Sequence, residues 1–328
     1  MCMHPLLAYW RIGLIGICVA IFWGCANTVV YADNDWSPGP ANDPKTCHEL
    51  WERIGLPRYR PTAEVNTTLV CHSRYVLSHN DSNKTPDWVI ERVTRDQISG
   101  TNTRPKIKFK SEENVAPSAR ASDKDYAGSD FDRGHQAPSE DFNANAEWME
   151  ESFILSNAVP QVGLGFNRHI WAQLEQNVRD LFEKDESRTE LYVITGPVYQ
   201  DAGGRTLTIT AEANTCGNAI KLPPLKKTSI CDANNQSRGT ACGEAGVAVP
   251  AALYKIVFDP ELRRSNAFLM PNMDHRDARG STKAVAYLNK FRTTVYIVQE
   301  YTGLQFFTGL EARERRRQVE QCLPAMLR

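Results

Sequence analysis

One of the seven histidines in this 328-residue sequence stands among residues that could do chemistry with it. The segment Phe131-Asp132-Arg133-Gly134-His135-Gln136-Ala137-Pro138 sets an imidazole, which can take up a proton near neutral pH, beside a guanidinium able to hold a phosphate. The glycine between them permits close backbone approach. His4, His48, His72, His79 and His275 have no such neighbours and read as structural. Further on, Asn167 offers a neutral carbonyl oxygen of the kind that suits Mg²⁺, a hard cation that keeps several of its waters and needs few protein ligands. Glu175 follows eight residues later, two helical turns or about 12 Å along a helix axis, too far to touch the same ion directly. By residue type alone Asn167 is equally a helix N-cap, Glu175 a solvated acid, and His169 a rival ligand.

These side chains need elements to position them. Ile170, Trp171, Leu174, Val178, Leu181 and Phe182 recur at helical spacing and predict a helix over Asn167–Lys184, with Glu175 on the edge of its apolar stripe. Strand-like runs occur at Trp88–Val93, Lys106–Lys110, Leu191–Thr195, Leu253–Phe258 and Ala267–Met270. Short strands with few helices predict an α+β fold around a largely antiparallel sheet. On the Lys106–Lys110 strand, Arg104, Lys106, Lys108 and Lys110 recur at period two, so four cations would share one face along a phosphate backbone. The same row also fits a solvated edge strand protected by its lysines. Gly203–Gly246 reads as a long, cysteine-pinned loop region, and Arg313–Arg317 as part of a solvated terminal helix.

Composition narrows the function classes. With 41% apolar and 23% charged residues the chain can bury a full core, and a formal net charge of −1 confines any polyanion site to a local basic patch. There is no Walker loop, no H-E-x-x-H and no G-x-S-x-G, and Gly163-Leu164-Gly165 lacks the third glycine of a dinucleotide loop. Met1–Ala32 reads as a cleaved secretory signal: Arg11, the apolar stretch Ile12–Cys25, then Val30-Tyr31-Ala32 with small residues at the cleavage positions. Ile12–Ala32 is also long enough for an uncleaved anchor, a reading weakened by Asn27 and Thr28. Residues 33–46, with Pro38, Pro40 and Pro44, read as a flexible leader, and 47–328 as one domain. Six cysteines remain after the signal, an even number that in an exported chain predicts three disulfides. Cys47–Cys71 is the expected local bridge, with Cys216, Cys231, Cys242 and Cys322 pairing among themselves; zinc is disfavoured because no C-x-x-C or nearby histidine accompanies them.

The motif also has an ordered set of companions: Ser156–Gln161, then Asn167 with Trp171 and Glu175, Thr195-Gly196-Pro197, Val249-Pro250 with Tyr254-Lys255, Ala267-Phe268 through Pro271-Asn272, and Glu300–Leu304. In this Asp-Arg-Gly-His motif and the blocks that follow, from roughly Arg60 to Leu310, the sequence resembles the DNA/RNA non-specific endonuclease family of metal-dependent nucleases. The resemblance implies a central antiparallel sheet flanked by helices, with a ββα-metal active site. It implies His135 as general base, Asn167 as the only direct protein ligand of Mg²⁺, with Mn²⁺ as a substitute, and Glu175 acting through water. Arg133 would neutralise the phosphate or the leaving side, Arg104 would match the family's second essential arginine, Asn157 would orient the site, and Asp132 would anchor the motif loop. The implied activity is sugar-non-specific phosphodiester hydrolysis of DNA and RNA leaving 5′-phosphates, and the signal segment predicts a secreted or periplasmic protein with no stable membrane association after its cleavage. A homodimer stays open. The rival readings are a phosphodiesterase of nucleotides or small phosphoesters and a nucleic-acid-binding or adhesion module without catalysis.

Overall fold

Apolar side chains alternate along the long strands and so divide the molecule into two packed layers. In a computed structural model, which describes residues 43–60, 65–104, 106, 108–199, 216, 228–229, 246–275 and 284–326, the strands of the central sheet and the motif are β1 (Thr67–Cys71), β2 (Tyr75–Asn80), β3 (Thr85–Thr94), β4 (Phe131–His135), β5 (Ala158–Val162), β6 (Glu190–Val198), β7 (Ala252–Asp259), β8 (Arg264–Pro271) and β9 (Arg292–Thr293). Seven of them form the central sheet in the order β9-β8-β7-β6-β3-β2-β1, every pairing antiparallel.

One sheet face carries Trp88, Ile90, Tyr192, Ile194, Tyr254, Ile256 and Leu269, which pack on Val295, Ile297 and Val298 of a helix at Val295–Thr302. The other carries Val93, Leu191, Val193, Leu253, Val257, Phe268 and Met270. It is covered by α1 (Ala172–Lys184), whose Leu174, Val178, Leu181 and Phe182 form one stripe. The helix predicted over Asn167–Lys184 is therefore present, but it enters through a wider-wound segment, Gly163–Trp171. β4 and β5 form a separate two-stranded hairpin that leads directly into this helix.

Three sequence expectations change. No strand spans Lys106–Lys110: among the described residues of this stretch only Lys110 makes a ladder contact, a single parallel bridge to Ile154. The cations of the period-two row, Arg104, Lys106, Lys108 and Lys110, are thus exposed side chains outside any strand among the described residues. The Asp-Arg-Gly-His motif, expected on a loop, is a strand. The domain also begins inside the expected leader: Asp43 accepts a hydrogen bond from Lys45 N at the start of a helical turn over Pro44–Leu50.

Cys47 and Cys71 are bridged, as expected, and Cys216 is bridged to Cys322. Met1–Ala32, Cys231, Cys242 and nearly all of Gly203–Gly246 lie outside the described residues. The terminal helix is present over Ala312–Glu320, with Arg313, Arg316 and Arg317 exposed.

Candidate active site

The hairpin and the helix segment that follows it assemble a strand, a strand and a helix around the motif. Pro160 lies opposite Arg133 in the β4–β5 ladder, tolerated because a two-stranded ribbon has only edge strands. Gly134 has another use than the close approach of a substrate: a Cβ there would come within 2.1 Å of the buried Gln161 side chain. Gly165 starts the helix with φ +83°, and a Cβ there would meet Asp274 Oδ1 at 1.9 Å, so both conformation and space demand glycine.

His135 ends β4 with its ring packed against Phe109 (centroids 5.0 Å apart) and edge-on to Phe153 (4.8 Å). Nε2 is buried and makes no hydrogen bond among the described residues. Burial, helped by the charge of Arg104, pushes the imidazole down to about 3, so it is neutral throughout the physiological range. Arg104 is exposed and lies over the Phe153 ring, 5.1 Å from its centroid. Arg133 is not free as the sequence suggested. It pairs with Asp123 at 2.5 Å, donates to the Asp123 carbonyl at 3.1 Å and lies over Tyr126.

Asn157 is fully buried. Its Oδ1 accepts from Ala137 N at 2.9 Å, and its Nδ2 donates to Ala137 O and Ser152 O at 2.9 and 3.0 Å. It therefore fixes the backbone two residues after His135 and presents no group to a substrate.

Asp132 does more than anchor a loop. Its Oδ2 accepts from Asn167 Nδ2 at 2.9 Å and Arg168 Nε at 2.7 Å, and its Oδ1 accepts from Arg168 Nη2 at 2.5 Å. Partial burial alone would raise the Asp132 carboxyl, but these hydrogen bonds and the Arg168 and Arg104 charges outweigh it and hold the group below its usual range. A carboxylate can only accept, so the Asn167 amide is turned with Oδ1 away from Asp132, where no described donor reaches it. Asn167 is thus no helix cap, since its side chain takes no backbone N–H. His169 is the side chain that does: its Nδ1 accepts from Gly165 N at 3.1 Å, which removes that nitrogen from competition for a cation. Among the described residues no group of three or more His, Cys, Asp or Glu converges as a metal cage. One oriented amide oxygen fits a hard cation that retains its water.

Glu175 lies one turn beyond Trp171 on the same side of the helix. Desolvation on burial pushes its carboxyl up to about 7, against the charges of Lys255 and Arg179. Sequence reasoning missed Phe109 and Phe153, Arg168 and the role of Asp132. Only the last had a signal, its place in the motif.

The fold and this strand-strand-helix site define a ββα-metal nuclease. A family model for DNA/RNA non-specific endonucleases matches residues 56–313, and the chain belongs to that family. It is 31% identical over 248 residues to a nuclease of Syncephalastrum racemosum, covering 74% of this chain and 68% of that one, and 31% identical to nuclease C1 of Cunninghamella echinulata var. echinulata, covering 72% and 81%. It is 28% identical to the human mitochondrial nuclease EXOG, of which it spans 61%. Among solved structures, a complex of EndoG with EndoGI, described as showing how EndoG is inhibited, aligns with a TM-score of 0.61 at 27% identity over 83% of this chain and 94% of that one. The protein is a DNA/RNA endonuclease, a hydrolase of a metal-dependent family.

Proposed function

We propose that the chain is an exported, Mg²⁺-dependent endonuclease that cuts DNA and RNA with His135 as general base and Asn167 as the direct protein ligand. The observation that carries this is the Asp132 carboxylate. Three residues before His135 on one strand, it turns the Asn167 amide so that its oxygen has no described protein partner. A divalent cation there would neutralise charge gathering on the phosphate and orient water.

His135, held neutral, takes the proton of the attacking water; with Nε2 sealed among protein atoms, Nδ1 is the nitrogen that does so. Glu175 orients water through its carboxylate. Arg104, exposed and close enough for its charge to act on both His135 and Asp132, meets the phosphate. Arg133 reaches it by exchanging Asp123 for phosphate oxygens. Asn157 positions the motif.

Export is supported by the composition of Met1–Ala32 and by the Cys47–Cys71 and Cys216–Cys322 bridges, which persist in oxidising compartments. Residues 47–328 would then be the nuclease domain, a boundary that lies within a few residues of Asp43.

The test is incubation of the purified mature chain with supercoiled plasmid and with RNA, in Mg²⁺ or EDTA. Both polymers should be cut in Mg²⁺ and neither in EDTA. Hydrolysis of mononucleotide esters without polymer cleavage would replace this reading with a small-phosphoester enzyme.

A further inference from the structure

β7 places a lysine on the sheet face that α1 covers. Lys255 is 1% exposed, donates from Nζ to one neutral partner, Thr195 Oγ1, at 2.7 Å, and lies 5.3 Å from the centroid of the Trp171 ring. Neither contact balances a buried ammonium, whose isolation from water is costly unless an anion is near. Among the described residues, the acids Glu91, Asp141 and Glu175 and one other cation, Arg179, are close enough for their charges to act on one another there. Arg179 and Asp141 pair with each other at 2.6 Å, which leaves Glu91 and Glu175.

Glu91 is on the same sheet face, 1% exposed, with both carboxyl oxygens buried and no hydrogen bond to either among the described residues. Burial and the neighbouring acids push it well above the usual carboxyl range. Glu175 lies one helical turn from Trp171, the ring against which Lys255 rests.

We propose that Lys255 is a positioning residue for the reaction: seated by Thr195 and Trp171, its ammonium is the counter-charge that holds the Glu175 carboxylate in place on the metal-binding helix. The inference rests on the water-orienting role of Glu175 given above.

The test compares Lys255→Met, Glu91→Gln/Lys255→Met and Glu175→Gln with wild type. It measures kcat and KM on plasmid, Mn²⁺ binding to the nucleic-acid-free protein by calorimetry, and the thermal midpoint. Lys255→Met should lower kcat and weaken Mn²⁺ binding by ~10–100-fold, with KM within about twofold and the midpoint unchanged or higher, because an apolar isostere at a buried charge is often neutral or stabilising. The double variant removes the neighbouring acid as well and should be equally impaired. If Lys255→Met does not fold, the double variant carries the test.

Wild-type kcat and Mn²⁺ binding in the double variant would assign Lys255 to Glu91 and overturn the proposal, as would a folded Lys255→Met with wild-type values. Unimpaired Glu175→Gln would overturn both this inference and the role of Glu175, whereas impaired Glu175→Gln beside unimpaired Lys255→Met would overturn this inference alone.

Discussion

Replacing Asp132 by alanine should raise the Mg²⁺ concentration for half-maximal plasmid cleavage by ~5–30-fold while leaving the fold intact. In the wild-type site the carboxylate pre-sets the Asn167 amide through a bond of 2.9 Å. Without it the cation must order that side chain itself, at a cost on the order of 1 kcal/mol. The polarisation that a charged acceptor lends to the amide, up to about 1 kcal/mol more, is lost as well. A loss of about 1–2 kcal/mol corresponds to that range of affinity at ~1.4 kcal/mol per tenfold, in keeping with the ~10–100-fold changes typical when a group supporting a metal ligand is removed. Stability should change by less than ~1 kcal/mol, because Arg168, the other partner of Asp132, has a side chain 62% exposed and such ion pairs are weak. Asp132→Asn keeps an acceptor for Asn167 and should shift the metal curve by only about threefold. The assay is a Mg²⁺ titration of cleavage beside a thermal melt. An unchanged metal curve in Asp132→Ala would refute the amide-orientation argument, and equal damage in Asp132→Asn would show that charge, not orientation, is what Asp132 contributes.

His135→Ala should lower the cleavage rate by ~10²–10⁴ while DNA binding in a gel-shift assay persists; because the ring packs on Phe109 and Phe153, the melting temperature should also fall by a few degrees. The His135 imidazole signal in an NMR titration should show no protonation from pH 8 to 4, with stability lost as the pH falls from 6.5 toward 3, where the unfolded chain binds a proton that the folded site refuses; a midpoint near 6.5 in the folded protein would show the ring to be solvated. Asn157→Ala breaks three buried bonds to backbone and should cost about 3 kcal/mol, read in a denaturant melt, with the Mg²⁺ half-activation concentration of the folded enzyme unchanged; a shifted metal curve would place Asn157 nearer the chemistry than its bonds do.

The Asp-Arg-Gly-His motif, the amide and acid at helical spacing and the apolar runs of β6, β7 and β8 are local patterns, and they were enough to name the fold class, the family and the residues to test. Their period is legible because burial on one or both faces of an element repeats with the backbone itself. The motif's own hairpin was not legible: Phe131–His135 mixes charge with glycine and Ala158–Val162 contains Pro160, so neither alternates. Nor was the fate of the basic row, whose period two suggested a strand that, among the described residues, has no partner beyond the Lys110–Ile154 bridge.

What tertiary structure alone decided is which neighbour each polar group meets. The sequence presented Arg133, Asp132 and Asn167 as three polar residues, but only the docking of the helix on the hairpin turned the Asn167 amide outward and only the approach of Asp123 occupied Arg133. Likewise Lys255 read as part of a strand until β7 set it under α1, between Thr195 and Trp171. Hydrogen bonds and charge pairs between residues far apart in the chain have no period to betray them, because their partners are fixed by the packing of whole elements rather than by spacing along any one.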